Sequence, residues 1–405
     1  MPLFVFGALC EADLLRVVVG RAVTAQLAVL PDHIVQGAEG GSFAVLVPQA
    51  GAVAQGVLLR HLTEAEQARL DWYMAVGRRD VLVRAGAETV AAQVHWPDAG
   101  PEAGPGPGPL AGAVPMPAQG VDVRATEAVP VPGAVPVPGA VAGWNRDDWR
   151  ARYGMAAVAA AGDVMALMGR AEPARIAARR GQTLVRGAGR VRASQAAPMT
   201  LRHAAGPGDV VVMADRQPYA RFFAVEEYDL TFRRFDGSHS PIVTRAVFIS
   251  GDAVTVLPYD PRRDRVLLIE QFRAAPWGRG DAQPWCLEAI AGRIDAGETP
   301  EDCARREAVE EAGLTIDTLL PVAQYYPSPG AYSEFLYSYV GLTDLPDGID
   351  GVFGLEGEAE DIRGHLIGFD DLMATVASGE VANAPLILTA LWLQRERARL
   401  RGAVA

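Results

Sequence analysis

The fold of the second half of the chain is decided by one stretch, Gly292-Arg-Ile-Asp-Ala-Gly-Glu298-Thr-Pro-Glu-Asp-Cys-Ala-Arg-Arg306-Glu307-Ala-Val-Glu310-Glu311-Ala-Gly313-Leu314. Within it, Thr299 is a favourable helix N-cap and Pro300 suits the first helical position. Gly313 is placed to end the helix, because glycine adopts the left-handed conformation without strain. The stretch therefore predicts a helix over 300–312 that follows a glycine-containing turn.

The carboxylates of this helix share one face. Glu307, Glu310 and Glu311 are related by i, i+3 and i+4 spacing. A face this negative repels itself unless a cation lies on it. Hard divalent ions such as Mg²⁺ or Mn²⁺ prefer oxygen ligands of this kind, together with substrate phosphates. The sequence therefore predicts a divalent-metal site on this helix.

The whole stretch resembles a Nudix box, G-x5-E-x7-R-E-U-x-E-E-x-G-U. Every defined position agrees except the first apolar position, which is the small Ala308. The alternative, a solvated acidic helix, would require all of these positions to match by chance, which is improbable. The resemblance implies an α/β/α sandwich and hydrolysis of a nucleoside diphosphate linked to another moiety.

The segments around the box resemble those of the ADP-ribose pyrophosphatases, a Nudix subfamily. The loop Tyr326-Pro-Ser-Pro-Gly-Ala-Tyr-Ser-Glu334 places Pro329 15 residues after Leu314, as in the S-P-G-x-x-S-E loop whose proline marks that subfamily. Other similar segments follow in the same order: 219–235, Thr244-Arg245, 268–273 and 354–363. The resemblance runs from about residue 215 to 400 and implies that ADP-ribose is cleaved to AMP and ribose 5-phosphate.

The resemblance also implies a role for each matching residue near the metal. The ligands of Mg²⁺ or Mn²⁺ would be the carbonyl of Ala291 and the carboxylates of Glu307, Glu311 and Glu360, with Glu310 beside them. Glu358 matches the carboxylate that the family uses as the catalytic base, and Arg306 matches the residue that orients the box by pairing with Glu298. The ions would neutralise charge that develops on the diphosphate and lower the pKa of the attacking water.

Other matching residues are expected to bind the substrate. Arg245 and Arg273 would grip the diphosphate bidentately, although an ordinary surface ion pair is as plausible for either arginine alone. Phe222 matches an aromatic residue that stacks on adenine from the partner subunit, since the family forms domain-swapped dimers, and Glu334 matches a loop acid near the ribose. Ala246 stands where relatives commonly carry glutamate, so another nucleoside diphosphate sugar is an alternative substrate.

The first 97 residues resemble a γ-glutamylcyclotransferase-like domain. The strand and turn Phe4-Val-Phe-Gly-Ala-Leu9 are similar to the Y-G-T-L segment of that family, and 43–48 and 55–59 agree more loosely. Leu70-Asp-Trp-Tyr-Met74 corresponds to L-D-x-x-E, but Met74 stands where the family has its catalytic glutamate. The resemblance implies a small α+β barrel without cyclotransferase activity. An ordinary buried strand with a glycine turn is the alternative for the first segment.

Composition divides the chain further. Residues 98–143 form a proline-, glycine- and alanine-rich insert, which favours a flexible, polyproline-like segment. Residues 144–200 are arginine-rich, and apolar residues such as Met155 near helical spacing predict a helical connector packed on the first domain. Binding of an acidic partner is the alternative for this connector. The expected domains are 1–97, the insert, the connector and a Nudix domain over 201–405.

The overall composition argues against several other classes of protein. A net charge of −12 argues against nucleic acid as a partner. All 37 basic residues are arginine, and a P-loop, Schiff-base or pyridoxal enzyme needs a lysine. The 3 scattered cysteines support neither a disulfide framework nor a thiolate zinc site. The start of the chain lacks a basic leader and no apolar run is long enough to cross a bilayer, which predicts a cytoplasmic protein.

Two further expectations come from the resemblance alone. Some bacterial relatives with this two-domain arrangement carry a tellurite-resistance label, which no residue of the chain explains chemically. Some Nudix-like domains bind ADP-ribose as sensors without hydrolysing it. Against this alternative stands the intact acidic set of Glu307, Glu310, Glu311, Glu358 and Glu360.

Overall fold

The computed structural model describes residues 1–38, 41–96, 144–354 and 360–403. The chain divides into two compact units, Met1–Ser194 and Gln195–Ala405. The second unit begins at residue 195, whereas the change in composition predicts 201, and the helical connector belongs to the first unit. The predicted insert over 98–143 lies outside the described residues.

Within its described residues, the first unit is built on a closed barrel of five strands. The strands are β1 (Leu3–Phe6), β2 (Ala25–Ala38), β3 (Phe43–Leu59), β4 (Arg78–Ala85) and β5 (Glu88–His95), paired in the order β1-β3-β2-β4-β5. Apolar side chains such as Phe4, Leu58 and Val94 fill the interior, since alternate residues of a strand point to the same side. The predicted small barrel is confirmed.

Strand β3 differs from what its sequence suggests. It is one continuous strand of 17 residues, although the apolar runs at its two ends are separated by exposed residues over 48–51. This middle part pairs with β2, as in the register Pro31↔Val53 and His33↔Pro48. Because neither strand is buried there, the hydrophobic pattern that identifies a strand is missing.

Two helices and a 3-10 turn complete the barrel region. The turn Gly7–Cys10 leads into α1 (Ala12–Val19), and α2 (Glu64–Met74) lies between β3 and β4. Thr63 and Glu66 form a capping box at the start of α2, in which each side chain accepts a hydrogen bond from the other residue's backbone N–H. Met74 is the last residue of this helix.

The connector forms three described helices: α3 (Arg146–Ala166), α4 (Pro173–Ala177) and α5 (Arg180–Ala193). Trp149 Nε1 donates a hydrogen bond to the Ser42 carbonyl at 2.8 Å, which joins α3 to the start of β3. A Cβ atom on Gly187 of α5 would lie 2.3 Å from the Ala156 carbonyl oxygen, so glycine is required for this close helix contact. The predicted apolar face was partly wrong: Met155 is 72% exposed, because alanines of α3 make the contact with α5.

The second unit is organised around a mixed sheet of eight strands in the part of the chain described. The strands are β9 (Ala253–Asp260), β10 (Arg265–Phe272), β11 (Trp285–Glu288), β12 (Ile290–Arg293), β13 (Thr318–Tyr325), β14 (Leu336–Leu342), β15 (Val352–Phe353) and β16 (Ile362–Gly368). Strands β9 and β10 pair at Arg265↔Asp260 and Val266↔Tyr259. Beyond this point β12 pairs with β9 and β11 pairs with β10.

Helices cover both faces of this sheet. The helix α7 (Pro300–Ala312) packs on the face of Val254, Val256 and Leu267, and α8 (Phe369–Ser378) and α9 (Ala384–Gly402) pack on the face of Leu257 and Val266. Alternate residues of β9 and β10 thus enter opposite cores, as expected for a strand buried on both sides. The predicted mixed α/β architecture is confirmed, with α7 at the predicted residues.

A separate antiparallel sheet of three described strands precedes the mixed sheet. Its strands are β6 (Val210–Ala220), β7 (Ala224–Phe232) and β8 (Val243–Ile249), in that order. Much of β6 is exposed, including the apolar run over 210–213. In α6 (Ala274–Arg279) and every other described helix of the chain, no stretch is long and apolar enough to cross a membrane.

Candidate active site

Helix α7 is positioned by its caps and by its apolar face. Thr299 Oγ1 accepts a hydrogen bond from the Asp302 backbone N–H at 3.1 Å, and Gly313 ends the helix in the left-handed conformation. Ala304 and Ala308 are fully buried against the sheet. The small residue at the first apolar position of the box therefore lies in the close contact between helix and sheet.

The main chain of β12 lies directly against the acidic side chains of α7. The backbone N–H of Ala291 donates to Glu311 Oε2 at 3.0 Å. A Cβ atom on Gly292 would lie 1.8 Å from Glu307 Oε1, so any larger residue would displace that carboxylate. The glycine of the box is thus a steric requirement of the acidic site.

Arg306 connects the carboxylates of the box. Its Nε and Nη2 donate to the two oxygens of Glu298 at 2.9 and 3.1 Å. Its Nη1 donates to Glu307 Oε1 at 2.7 Å and to Glu310 Oε2 at 2.9 Å. One guanidinium therefore holds three carboxylates in place, and the pairing predicted between Arg306 and Glu298 is present.

The buried carboxylates of Glu307 and Glu311 have few cationic partners. Glu311 is only 3% exposed, and among the described residues it makes no ion pair. Burial raises its pKa well above the usual range, and the nearby charges of Glu307 and Glu360 raise it further. Burial also raises the pKa of Glu307 to about 8. Such surroundings disfavour the charged form of a carboxylate, and an added cation would favour it.

The donor set fits a hard divalent cation, because buried carboxylate oxygens exceed the cationic groups that contact them. In the described part of the chain, however, no three metal-ligating side chains already converge on one point. Glu307 and Glu310 both accept hydrogen bonds from Arg306. Glu360 lies close enough to Glu311 to affect its charge, and Glu358 lies outside the described residues.

Arg273 lies at the edge of this acidic group. Its Nε and Nη2 donate to Glu288 Oε2 at 3.0 and 2.6 Å, and Glu288 Oε1 accepts from Asn383 Nδ2 at 3.0 Å. Its charge also acts on Glu311. A guanidinium held in this way has a fixed position next to the carboxylates of α7.

A second group of residues surrounds Phe222. The Arg293 guanidinium lies 4.6 Å from the centre of the Phe222 ring. Burial lowers the pKa of Arg293, while Asp295 and Glu334 oppose that change. Burial raises the pKa of Glu334, with Arg293 opposing and Asp252 adding to the shift. Phe222 and Glu334 are therefore both near Arg293.

Aromatic contacts connect Phe222 with the predicted substrate loop. Ring centres are 4.8 Å apart for Phe222 and Phe223, 4.9 Å for Phe223 and Phe248, and 5.2 Å for Phe248 and Tyr332. The Phe248 backbone also donates to the Ala331 carbonyl at 2.8 Å and accepts from the Ser333 N–H at 3.0 Å. The loop that carries the exposed Pro329 is thereby fixed to β8.

Arg245 is the predicted ligand that the structure does not bring to the acidic group. It is exposed on β8, and its Nη1 donates to the neighbouring Thr244 carbonyl at 3.0 Å. It forms no ion pair with any residue in the described ranges. It lies on the three-stranded sheet, and none of its contacts in the described ranges joins it to Arg273 or Glu288.

Comparison with known proteins agrees with this geometry. Residues 250–387 match the NUDIX domain family. An ADP-ribose pyrophosphatase of Escherichia coli (strain K12) is 40% identical over 196 residues, which cover 48% of this chain and 93% of that protein. The chain belongs to the Nudix hydrolase family. A Haemophilus influenzae ADP-ribose pyrophosphatase is 34% identical over 48% of this chain and 89% of its own length. A Yersinia pestis GDP-mannose pyrophosphatase is 31% identical over 43% of this chain and 85% of its own length.

In this Nudix hydrolase, sequence reasoning missed Arg293. It lies between Gly292 and Ile294 at a position the box leaves undefined, so the motif provides no signal for it. The buried Asp252 and the Glu288 partner of Arg273 were also missed, because both lie outside the box. A single arginine becomes informative only when the fold shows which ring and which acids lie beside it.

Proposed function

We propose that the second unit of this Nudix hydrolase cleaves the diphosphate of ADP-ribose to AMP and ribose 5-phosphate. The observation that carries the proposal is the buried acidic group of Glu307 and Glu311 against the β12 backbone, with its shortage of cationic partners. Relatives named ADP-ribose pyrophosphatase at 34–40% identity support this choice of substrate.

We propose Mg²⁺, or Mn²⁺ in its place, as the cofactor. The Ala291 carbonyl, Glu307, Glu311 and Glu360 would hold the ions, with Glu310 beside them. When bound, such ions supply charge neutralisation on the diphosphate and a lower pKa for the attacking water. Arg306 would hold the carboxylates of the box in position through its contacts with Glu298, Glu307 and Glu310.

The remaining roles belong to groups around the acidic site. Glu358 is proposed as the general base that takes the proton of the attacking water. Arg273, and Arg245 in the assembled protein, would bind the diphosphate oxygens. Phe222 would stack on the adenine of the substrate, and Glu334, near Arg293, would contact the ribose end. Pro329 would shape the loop that is fixed to β8.

We expect the second unit to form homodimers, in line with the partner role proposed for Phe222. The exposed apolar run over 210–213 on β6 supports this, because exposed contiguous apolar residues commonly mark an interaction surface. Light scattering on the purified protein would give the mass directly, and a monomer at working concentrations would contradict the expectation.

A second candidate substrate is another nucleotide sugar, such as GDP-mannose. The Yersinia pestis relative carries that name, and Ala246 offers no side-chain hydrogen bond at a position where the subfamily commonly has glutamate. Purified protein with Mg²⁺ should be incubated with ADP-ribose and with GDP-mannose, and the products identified by mass spectrometry. Faster turnover of ADP-ribose supports the first proposal, and faster turnover of GDP-mannose supports the second.

The same assay separates hydrolysis from binding alone. Glu311→Gln should lose most turnover, because it removes a proposed ligand while preserving the shape of the side chain. Glu301→Gln is the matched control, since Glu301 is exposed on the same helix and accepts a hydrogen bond from the Tyr339 hydroxyl. Binding of ADP-ribose by wild-type protein without any turnover would instead favour a sensor.

For the first unit we propose a γ-glutamylcyclotransferase-like barrel that has lost that activity. The turn at Gly7 and the position of Met74 at the end of α2 support it. Methionine cannot transfer a proton. Release of 5-oxoproline from a γ-glutamyl substrate by the whole protein would contradict this proposal.

A further inference from the structure

The first unit contains a cavity of about 90 Å³. On one side it is lined by the start of the barrel, including Phe4, Phe6 and Leu9, and on the other by α3, including Ala160 and Ala161. A water molecule needs about 10–15 Å³ of such space, so the cavity has room for a ligand of about six to nine non-hydrogen atoms. Its walls are mainly apolar.

One positively charged side chain lines this apolar cavity. Arg180, the first residue of α5, lines the cavity. Its Nη2 donates to the carbonyls of Tyr73 and Met74 at 2.7 and 2.6 Å, and its guanidinium lies 5.8 Å from the centre of the Tyr73 ring. These contacts fix the side chain but leave its charge uncompensated.

No acidic side chain balances this charge. Among the described residues, the cavity lining contains neither aspartate nor glutamate, and Arg180 forms no ion pair. Burial lowers the pKa of Arg180, which shows that its surroundings oppose the charged form. A partly buried cation without a counter-ion is unfavourable, so an anion in the cavity would gain a charge-assisted partner that is partly removed from water.

His95 and Tyr73 are the other titratable groups of the lining. His95 Nε2 lies 2.8 Å from Asp71 Oδ1, and burial lowers the pKa of the histidine. A neutral ring that donates Nε2–H to Asp71 has its Nδ1 available as an acceptor. The lining thus offers a ligand the guanidinium of Arg180, the ring of His95 and the side chain of Tyr73, within largely apolar walls.

We propose that this cavity binds a small organic carboxylate, whose carboxylate group pairs with Arg180 and whose apolar body lies against Phe4, Phe6 and the alanines of α3. Arg180, the residue that would bind the carboxylate group, lies in α5 and not in a barrel strand. The proposal concerns binding and requires no reaction. It is independent of the function proposed for the second unit.

The test compares two probes of equal size on the full-length protein. Hexanoate and hexanamide have the same number of non-hydrogen atoms, but only hexanoate is charged. In isothermal titration calorimetry, hexanoate should bind with an affinity roughly tenfold or more above that of hexanamide, the size expected for a charge-assisted hydrogen bond. Equal affinities, or no binding of hexanoate at millimolar concentration, would overturn the proposal.

Two variants locate the site. Arg180→Met keeps an apolar stem and should abolish the preference for hexanoate, whereas the control Arg16→Met, at an exposed pair with Asp13, should keep it. Ala161→Leu retains Arg180 but fills the cavity, and it should weaken both probes. This second variant decides the matter if Arg180→Met does not fold. Unchanged hexanoate binding in a folded Arg180→Met or Ala161→Leu protein contradicts the assignment.

Discussion

Helix α7 of the second unit buries carboxylates around a single arginine, whereas the first unit places a single arginine in an apolar cavity. In the first case Glu307 and Glu311 lack sufficient positive charge, and in the second Arg180 lacks a carboxylate. For each arrangement we have proposed a ligand of opposite charge. The difference is that several like charges on one helix leave a spaced pattern in the sequence, while a single arginine among 37 does not.

The largest expected effect is that of metal chelation, which tests the acidic site of the second unit. With EDTA, hydrolysis of ADP-ribose should fall to the background rate, since the proposed ions could no longer neutralise the diphosphate or lower the pKa of the attacking water. Addition of Mg²⁺ or Mn²⁺ in excess should restore it. A coupled assay for released ribose 5-phosphate or AMP measures both steps. Full turnover in chelator would remove the basis for a metal site.

The next largest effect separates a base from a ligand. Glu358→Gln should bind ADP-ribose nearly normally and lose on the order of 10²–10⁴ in turnover, the usual range for general base catalysis. Glu360→Gln should weaken metal affinity instead, so that higher Mg²⁺ restores part of its rate. Titration of both variants with Mg²⁺ distinguishes them. If Glu358→Gln turns over at the wild-type rate in saturating Mg²⁺, Glu310 becomes the next candidate.

A pair of glycine substitutions compares the two units directly. Gly292→Ala places its Cβ against the Glu307 side chain, so hydrolysis should be lost with little change in thermal stability. Gly187→Ala places its Cβ against the Ala156 backbone, which cannot move as easily, and should destabilise the first unit by about 1–3 kcal/mol. Its hydrolysis should not change.

The control for this pair is Gly278→Ala. Among the described residues, apart from its own helix backbone and chain neighbours, no atom lies within 4 Å of the Cβ that this change adds, so both activity and stability should stay at wild-type values. Thermal unfolding and the hydrolysis assay measure each variant. A large loss of stability together with activity in Gly292→Ala would mean that this glycine supports the fold and not the acidic site.

The smallest effect is expected from removal of the first unit. A chain of 195–405 contains every described residue of the acidic group, so its turnover of ADP-ribose should remain within about twofold of that of the full chain, well below a tenfold change. A cut at residue 143 would be a poorer choice, because it leaves the buried faces of α3 and α5 without the barrel. Loss of turnover in a folded 195–405 protein would show that the first unit contributes to catalysis.

The accuracy of sequence-based prediction depended on whether a signal was local. Helix α7 was predicted to the residue, because Thr299, Pro300 and Gly313 are caps that act on their own neighbours. Met155 was assigned to a buried face because it is apolar, but α3 and α5 meet through alanine and glycine, whose small size permits the close approach. Composition does not reveal which apolar residues a partner helix will cover.

Residues whose role depends on distant partners could not be predicted. Arg293 becomes part of the candidate site only through Phe222 and Glu334, and Arg180 only through a cavity formed by the barrel and α3. The role of Glu358 stays a prediction from its resemblance. The barrel was predicted and found, while its cyclotransferase-like ancestry stays a prediction as well.

The contacts of Arg306 affect how the turnover of this Nudix hydrolase would depend on the concentration of free Mg²⁺. The guanidinium contacts Glu298, Glu307 and Glu310, so the helix and its loop have stabilising contacts that do not depend on a bound ion. Many small metalloproteins fold only when their metal binds. At the proposed Mg²⁺ site we therefore expect occupancy to change without unfolding, so that free Mg²⁺ would control turnover while the amount of folded protein stays constant.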